Sequence, residues 1–164
     1  MLYIKEDIMK KIINILLWIM VVVTMCTIFY FSHQPAKVSS KTSNKIAKKI
    51  VNTVSKNKPQ SEKKKIEKKV NDTLRTLAHF SLFALLGGFL MGAMIMSFSH
   101  KKSLVYLFIL TLILVLMYAL SDEYHQTFIQ GRTAQFIDIV VDFSGCLLSS
   151  GIIFMFNKFR KQSV

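Results

Sequence analysis

Four stretches of the chain are almost wholly apolar: residues 12–31, 77–98, 103–120 and 134–156. The first follows Lys10 and Lys11 and holds no charge. The second is interrupted only by His79 and small residues, and the fourth carries Asp138 and Asp142. About 20 apolar residues in helical form cover the ~30 Å of hydrocarbon in a bilayer. Each stretch therefore predicts a transmembrane helix, and the expected fold class is all-α, a four-helix transmembrane bundle forming one domain over 1–164. Stretch 12–31 is too long for a signal-peptide core, and no small-residue cleavage site follows it.

The segment between the first two spans, 32–76, has its own pattern. Within 45–56, Ile46, Ala47, Ile50, Val51 and Val54 recur at helical spacing between Lys45, Lys48, Lys49 and Lys56. This predicts a basic amphipathic helix suited to the headgroup plane. Pro59 ends it. Ile66, Val70, Leu74 and Leu77 then follow at steps of four, four and three, predicting a helix that runs on into the second span. The short connections 99–102 and 121–135 make spans two, three and four sequential antiparallel neighbours.

Composition sharpens the class. Of 164 residues, 52% are hydrophobic and 19% charged, and the mean hydropathy is +0.40. Those values argue against a soluble globular enzyme, a disordered tail and a disulfide scaffold. The net charge is +13, and thirteen of the 22 basic residues fall in 32–76. Anionic membrane lipids are the expected partner; no nucleic-acid-binding motif is legible, and no nucleic acid is expected. Cys26 and Cys146 lie inside apolar stretches without CxxC or Cys/His spacing. No zinc cage is supported, and no metal site or cofactor is assigned from sequence.

Antiparallel spans alternate in direction. The end of span one, the start of span two, the end of span three and the start of span four therefore face one side, whatever the orientation. These ends carry Ser32-His33-Gln34, then Arg75 and His79, then Asp122 to Gln126, then Gly131-Arg132 with Asp138 and Asp142. Nearly all the polar chemistry of the chain is expected at one membrane face.

Asp138 and Asp142 share a helical face at i,i+4 spacing. An aspartate at mid-membrane costs about 2.5–3.5 kcal/mol on insertion scales. Such a pair is kept where it faces the bundle interior, as a ligand, metal or proton site, or as a packing network with Arg132 or His79. Gly145 and Ser149 extend the stripe and permit close helix packing. Asp122, His125 and Gln126 form a second one-faced set, with Glu123 turned elsewhere unless the helix ends there. Carboxylates beside histidines suit acid–base work or a divalent metal, although the pattern is not HExxH. The candidate acid–base residues are His79, Asp122, Glu123 and His125; the candidate ligand-binding residues are Gln126, Gly131, Arg132, Asp138 and Asp142. Gly131 permits a tight turn. Arg132 offers a planar fork for phosphate or carboxylate, or a partner for Asp138 or Asp122.

Phe31-Ser32-His33-Gln34-Pro35, Ala78-His79-Phe80, Asp122-Glu123-Tyr124-His125-Gln126, Phe128, Gly131-Arg132 and Asp138 with Asp142 and Gly145 together resemble the VanZ-like family of small bacterial membrane proteins, over about residues 12–155. Two positions depart from it. Gln130 stands where a proline is usual, and Asp142 where an asparagine is usual. The usual asparagine implies that a neutral group is tolerated at 142, so Asp138 is expected to be the charged partner, facing Arg132 or a cation.

The family is named for a protein associated with low-level teicoplanin resistance in Gram-positive bacteria. The resemblance implies a multi-pass cell-membrane protein of the envelope. It would bind a lipid-linked cell-wall precursor or a lipoglycopeptide at the outer leaflet and confer teicoplanin tolerance. An intramembrane hydrolase or transferase of a lipid-linked substrate is the alternative, with a proton-coupled transporter behind it, so enzymatic activity stays open. Charge alone leaves orientation close to even, because eight basic residues lie on the side of the termini. The family picture places the motif face outside and both termini in the cytoplasm.

Overall fold

In a computed structural model that describes residues 2–35, 46–51, 53, 59–99 and 101–162, all four apolar stretches are helical. The helices are α1 (Leu2–Ser32), α2 (Gln60–Phe98), α3 (Leu104–Gln126) and α4 (Phe136–Gln162). All four are long and apolar enough to cross a membrane, and no strand occurs among the described residues. The chain is a multi-pass, all-α membrane protein. Ile12, Ile19 and Val22 on α1, Met117 on α3 and Ile152 on α4 stand exposed on the outer surface, where hydrocarbon would solvate them.

Each helix runs past its apolar stretch. Pro59, at φ −59° and ψ 152°, starts α2, and the helix continues unbroken for 39 residues. At 1.5 Å per residue this is ~58 Å, about twice the hydrocarbon thickness. The lysine-rich first turns therefore stand clear of the membrane, as the 66–77 periodicity predicts. Ser103 starts α3 by accepting from the Tyr106 amide at 3.2 Å. The apolar stretch of α3 ends at 120, but the helix holds to Gln126. The connection to α4 is thus 127–135, and Asp122 through Gln126 form the last helical turn.

Residues 46–51 are helical, bury Ala47 and Val51, and leave Ile46 and Ile50 exposed. Lys48 comes within 4.0 Å of Glu67 on α2, so this segment stands beside the extramembrane part of α2. Most of the remaining predicted amphipathic helix lies outside the described residues.

The core is built mainly on α2, which packs against the other three helices. Phe83, Leu86 and Leu90 meet Val21 and Ile28 of α1, Leu107, Val115 and Ala119 of α3, and Cys146 of α4. Sequential neighbours do pack together, but the most extensive pair is α2 with α4, which run parallel. Glycine makes that approach possible. A Cβ on Gly87 would stand 2.8 Å from the Cys146 backbone, and one on Gly145 would collide with the Phe80 carbonyl. The small-residue stripe of α4 thus packs as its sequence predicts. It brings Asp142, three residues before Gly145, against His79, one residue before Phe80.

Candidate functional site

The polar ends of the four helices meet. At the end of α1 the Ser32 hydroxyl donates to Asp122 Oδ2 at the end of α3, at 2.7 Å. Gln126 Nε2 donates to the same oxygen at 3.0 Å. Two donors on Oδ2 fix the carboxylate and turn its other oxygen toward the bundle interior. Asp122 is 4% exposed and Asp142 2% exposed. His79 Nδ1 lies 3.5 Å from Asp142 Oδ1, longer than a formed hydrogen bond of about 2.7–3.2 Å. Asp122 Oδ1, Asp142 Oδ1 and His79 Nδ1 are all buried without a hydrogen-bond partner. One donor atom from each of His79, Asp122 and Asp142 lies within 4.8 Å of the others. Among the candidates, these three form one cluster.

Beside the cluster, between α2 and α4, is a polar cavity of about 240 Å³. Asp72, Arg75, Thr76 and His79 line it from α2, with Gln135 and Asp138 from the start of α4. Asp138 is half-buried at its wall, whereas Asp142 one turn later is covered by α2. The expectation for this pair is thereby corrected. Asp142, not Asp138, occupies the buried cluster, because α2 crosses α4 most closely next to Asp142. Arg75 donates to Gln126 Oε1 at 3.2 Å.

Arg132 is buried and pairs with carbonyl oxygens. Nε donates to Gln34 O at 3.0 Å, Nη2 to Phe31 O at 2.8 Å and Nη1 to Gln126 Oε1 at 3.0 Å. It clasps the α3–α4 loop onto the end of α1. Neither Asp138 nor Asp122, the partners expected from sequence, is among these hydrogen bonds. Burial first, and then the like charge of Arg75, push its pKa down against the pull of Asp122, Glu123 and Asp138. Gly131 before it adopts φ 79°, a left-handed turn that glycine takes without a Cβ penalty.

Glu123 is buried rather than turned outward. Its Oε1 accepts the Gln135 backbone amide, just ahead of α4, where a carboxylate also meets the positive end of the helix dipole. Its contact is with the backbone of the neighbouring loop. His125 sits on the far side of α3 from the cluster. It stacks on Phe29 at 4.8 Å, and its Nε2 lies 3.3 Å from His33 Nδ1. So the structure brings together His79, Asp122, Gln126 and Asp142, sets Asp138 on the adjoining cavity wall, and gives Glu123, Gly131 and Arg132 loop-holding contacts.

Three contributors received no role from sequence: Ser32, Arg75 and Gln135. Ser32 and Arg75 fall on the convergent face by the alternation of spans alone. Nothing in the local pattern marks Gln135.

The VanZ/LLP1 family model matches residues 17–157. No curated protein and no solved structure matches the chain.

Proposed function

The chain belongs to the VanZ/LLP1 family, and from that premise we propose that it is a cell-envelope protein holding the phosphate-bearing headgroup of an amphiphile at one membrane face. The observation that carries this reading is the polar cavity between α2 and α4. It offers one cation, Arg75, for a phosphate and two carboxylates, Asp72 and Asp138, for hydroxyl or amine donors. At about 240 Å³ it is smaller than the ~300–1,000 Å³ of a drug-sized site. It suits a headgroup such as that of a lipid-linked cell-wall precursor better than a whole lipoglycopeptide. Teicoplanin tolerance would then follow from occupying the precursor rather than from holding the antibiotic.

An apolar cavity of about 390 Å³ supports the amphiphile. Trp18, Met25, Leu86, Leu90, Leu114 and Tyr118 line it at bilayer depth. Tyr118 is one turn before Asp122, so a chain lying there would end ~6 Å below the polar cluster. The exposed Ile46 and Ile50 with Lys48 and Lys49 favour anionic headgroups at the surface. Both termini would lie in the cytoplasm and the polar face outside, in the cell membrane of a Gram-positive bacterium.

One feature favours an enzymatic second reading. His79 lines the cavity with Asp142 behind its ring, a base-and-orienter arrangement. Turnover of a lipid-linked phosphate by purified protein, lost in His79→Gln, would select it.

Lipid mass spectrometry on the purified protein tests the binding reading. A phosphate-bearing, polyprenyl-linked amphiphile should be enriched over bulk membrane lipid and lost from Arg75→Gln. Bulk lipid composition in both proteins would overturn it.

A further inference from the structure

We propose that His79, Asp122 and Asp142 form a binding site for one divalent cation of the zinc–manganese class. Three orphaned atoms point to it. Asp122 Oδ1 and Asp142 Oδ1 belong to side chains more than nine-tenths buried, and together with His79 Nδ1 they lack any hydrogen-bond partner. An isolated buried ion pair at 3.5 Å is a poor resting state, since desolvation of both charges exceeds what a long contact returns. A cation between the donors satisfies all three at once. Two ligands ~2.1 Å from a tetrahedral ion stand ~3.4 Å apart, which is close to the His79–Asp142 separation. Asp122 needs only a small shift, its donor lying within 4.8 Å of the other two.

The surroundings fit a coordinated metal. Ligating carboxylates are themselves held by hydrogen bonds, and Asp122 Oδ2 is held by Ser32 and Gln126. His79 keeps 15% of its side chain exposed and lines the polar cavity, which gives the ion an entry path. One imidazole with two carboxylates selects zinc or manganese over the all-oxygen environments of calcium and magnesium. Three protein ligands leave a coordination position open toward the cavity, as in sites where a metal meets a substrate oxygen. The cation assignment stands independently of the amphiphile, because metal content can be read on lipid-stripped protein.

The full chain should be purified in detergent, stripped with a chelator, and dialysed separately against zinc, manganese, magnesium or calcium. About one zinc or manganese per chain is expected by elemental analysis, with a raised thermal midpoint. Asp142→Leu, which keeps the shape and removes the donor, should lose the metal and its stabilisation. Its metal-free midpoint should match or exceed that of metal-free wild type, because an unpaired buried carboxylate is gone. Ser32→Ala should weaken affinity about tenfold or more while keeping the stoichiometry. The double variant His33→Asn with His125→Asn removes the other histidine pair and should keep one equivalent. Wild-type metal content in Asp142→Leu, metal lost with the His33–His125 pair, or binding of magnesium or calcium alone would each overturn the assignment.

Discussion

Ser32 and Asp122, ninety positions apart, share a buried 2.7 Å hydrogen bond that ties the end of α1 to the end of α3. The acceptor is a carboxylate in a poorly hydrated place, where a charged hydrogen bond is worth about 1.5–3 kcal/mol. Ser32→Ala should destabilise the detergent-solubilised protein by that amount. Chemical unfolding monitored by circular dichroism measures it; an unchanged midpoint would mean that the bond is not formed.

The α2–α4 crossing predicts opposite outcomes for two glycines of one helix. Gly145→Ala drives a methyl into the Phe80 backbone, and overpacking of that kind typically costs ~1–3 kcal/mol. Gly151 has nothing within 4 Å of an added Cβ. Gly151→Ala should be neutral or stabilising by up to about 1 kcal/mol through helix propensity. Thermal midpoints of the two variants decide the matter; equal losses would contradict the close crossing.

The Gly131–Arg132 turn should fail in two separable ways. Gly131→Ala places a Cβ at φ 79° and should cost about 1–2 kcal/mol. Arg132→Lys keeps the charge, but a single ammonium cannot span Phe31 O, Gln34 O and Gln126 Oε1. It should loosen the loop, seen as faster proteolysis or hydrogen exchange in 127–135. A protected loop in Arg132→Lys would show that charge alone suffices.

Asp138 and Asp142 should separate by readout. Asp138→Asn, at the half-buried cavity wall, should leave the thermal midpoint within about 0.5 kcal/mol of wild type and reduce the co-purifying amphiphile. Asp142→Asn should change metal retention instead. Identical behaviour in both assays would mean that the two carboxylates act as one site.

Much of this arrangement is legible in the sequence, because hydrophobic runs, span alternation and helical spacing are local signals. They give the four helices, the run of α2 from Pro59 into the membrane, the common polar face and the packing role of Gly145. What they do not give is which members of that face touch. Asp138 and Asp142 are equivalent by spacing, and only the crossing of α2 at Gly145 covers one of them. Glu123 finds its partner in the backbone of Gln135. Arg132 finds carbonyls on α1 about a hundred positions earlier. Backbone acceptors leave no mark in residue types, so an arginine near acids reads as an ion pair until the fold supplies the carbonyls.

The shared polar face is tested most directly by cysteine accessibility. Cys26 and Cys146 would be replaced, and single cysteines placed at Ser61 on the extension of α2, at Thr127 after α3, and at Lys101 between α2 and α3; all three sites are exposed. A membrane-impermeant maleimide should label the Ser61 and Thr127 positions in intact cells, and Lys101 only after permeabilisation. Labelling of the Ser61 and Thr127 positions from opposite sides of the membrane would contradict the convergence on which the site depends.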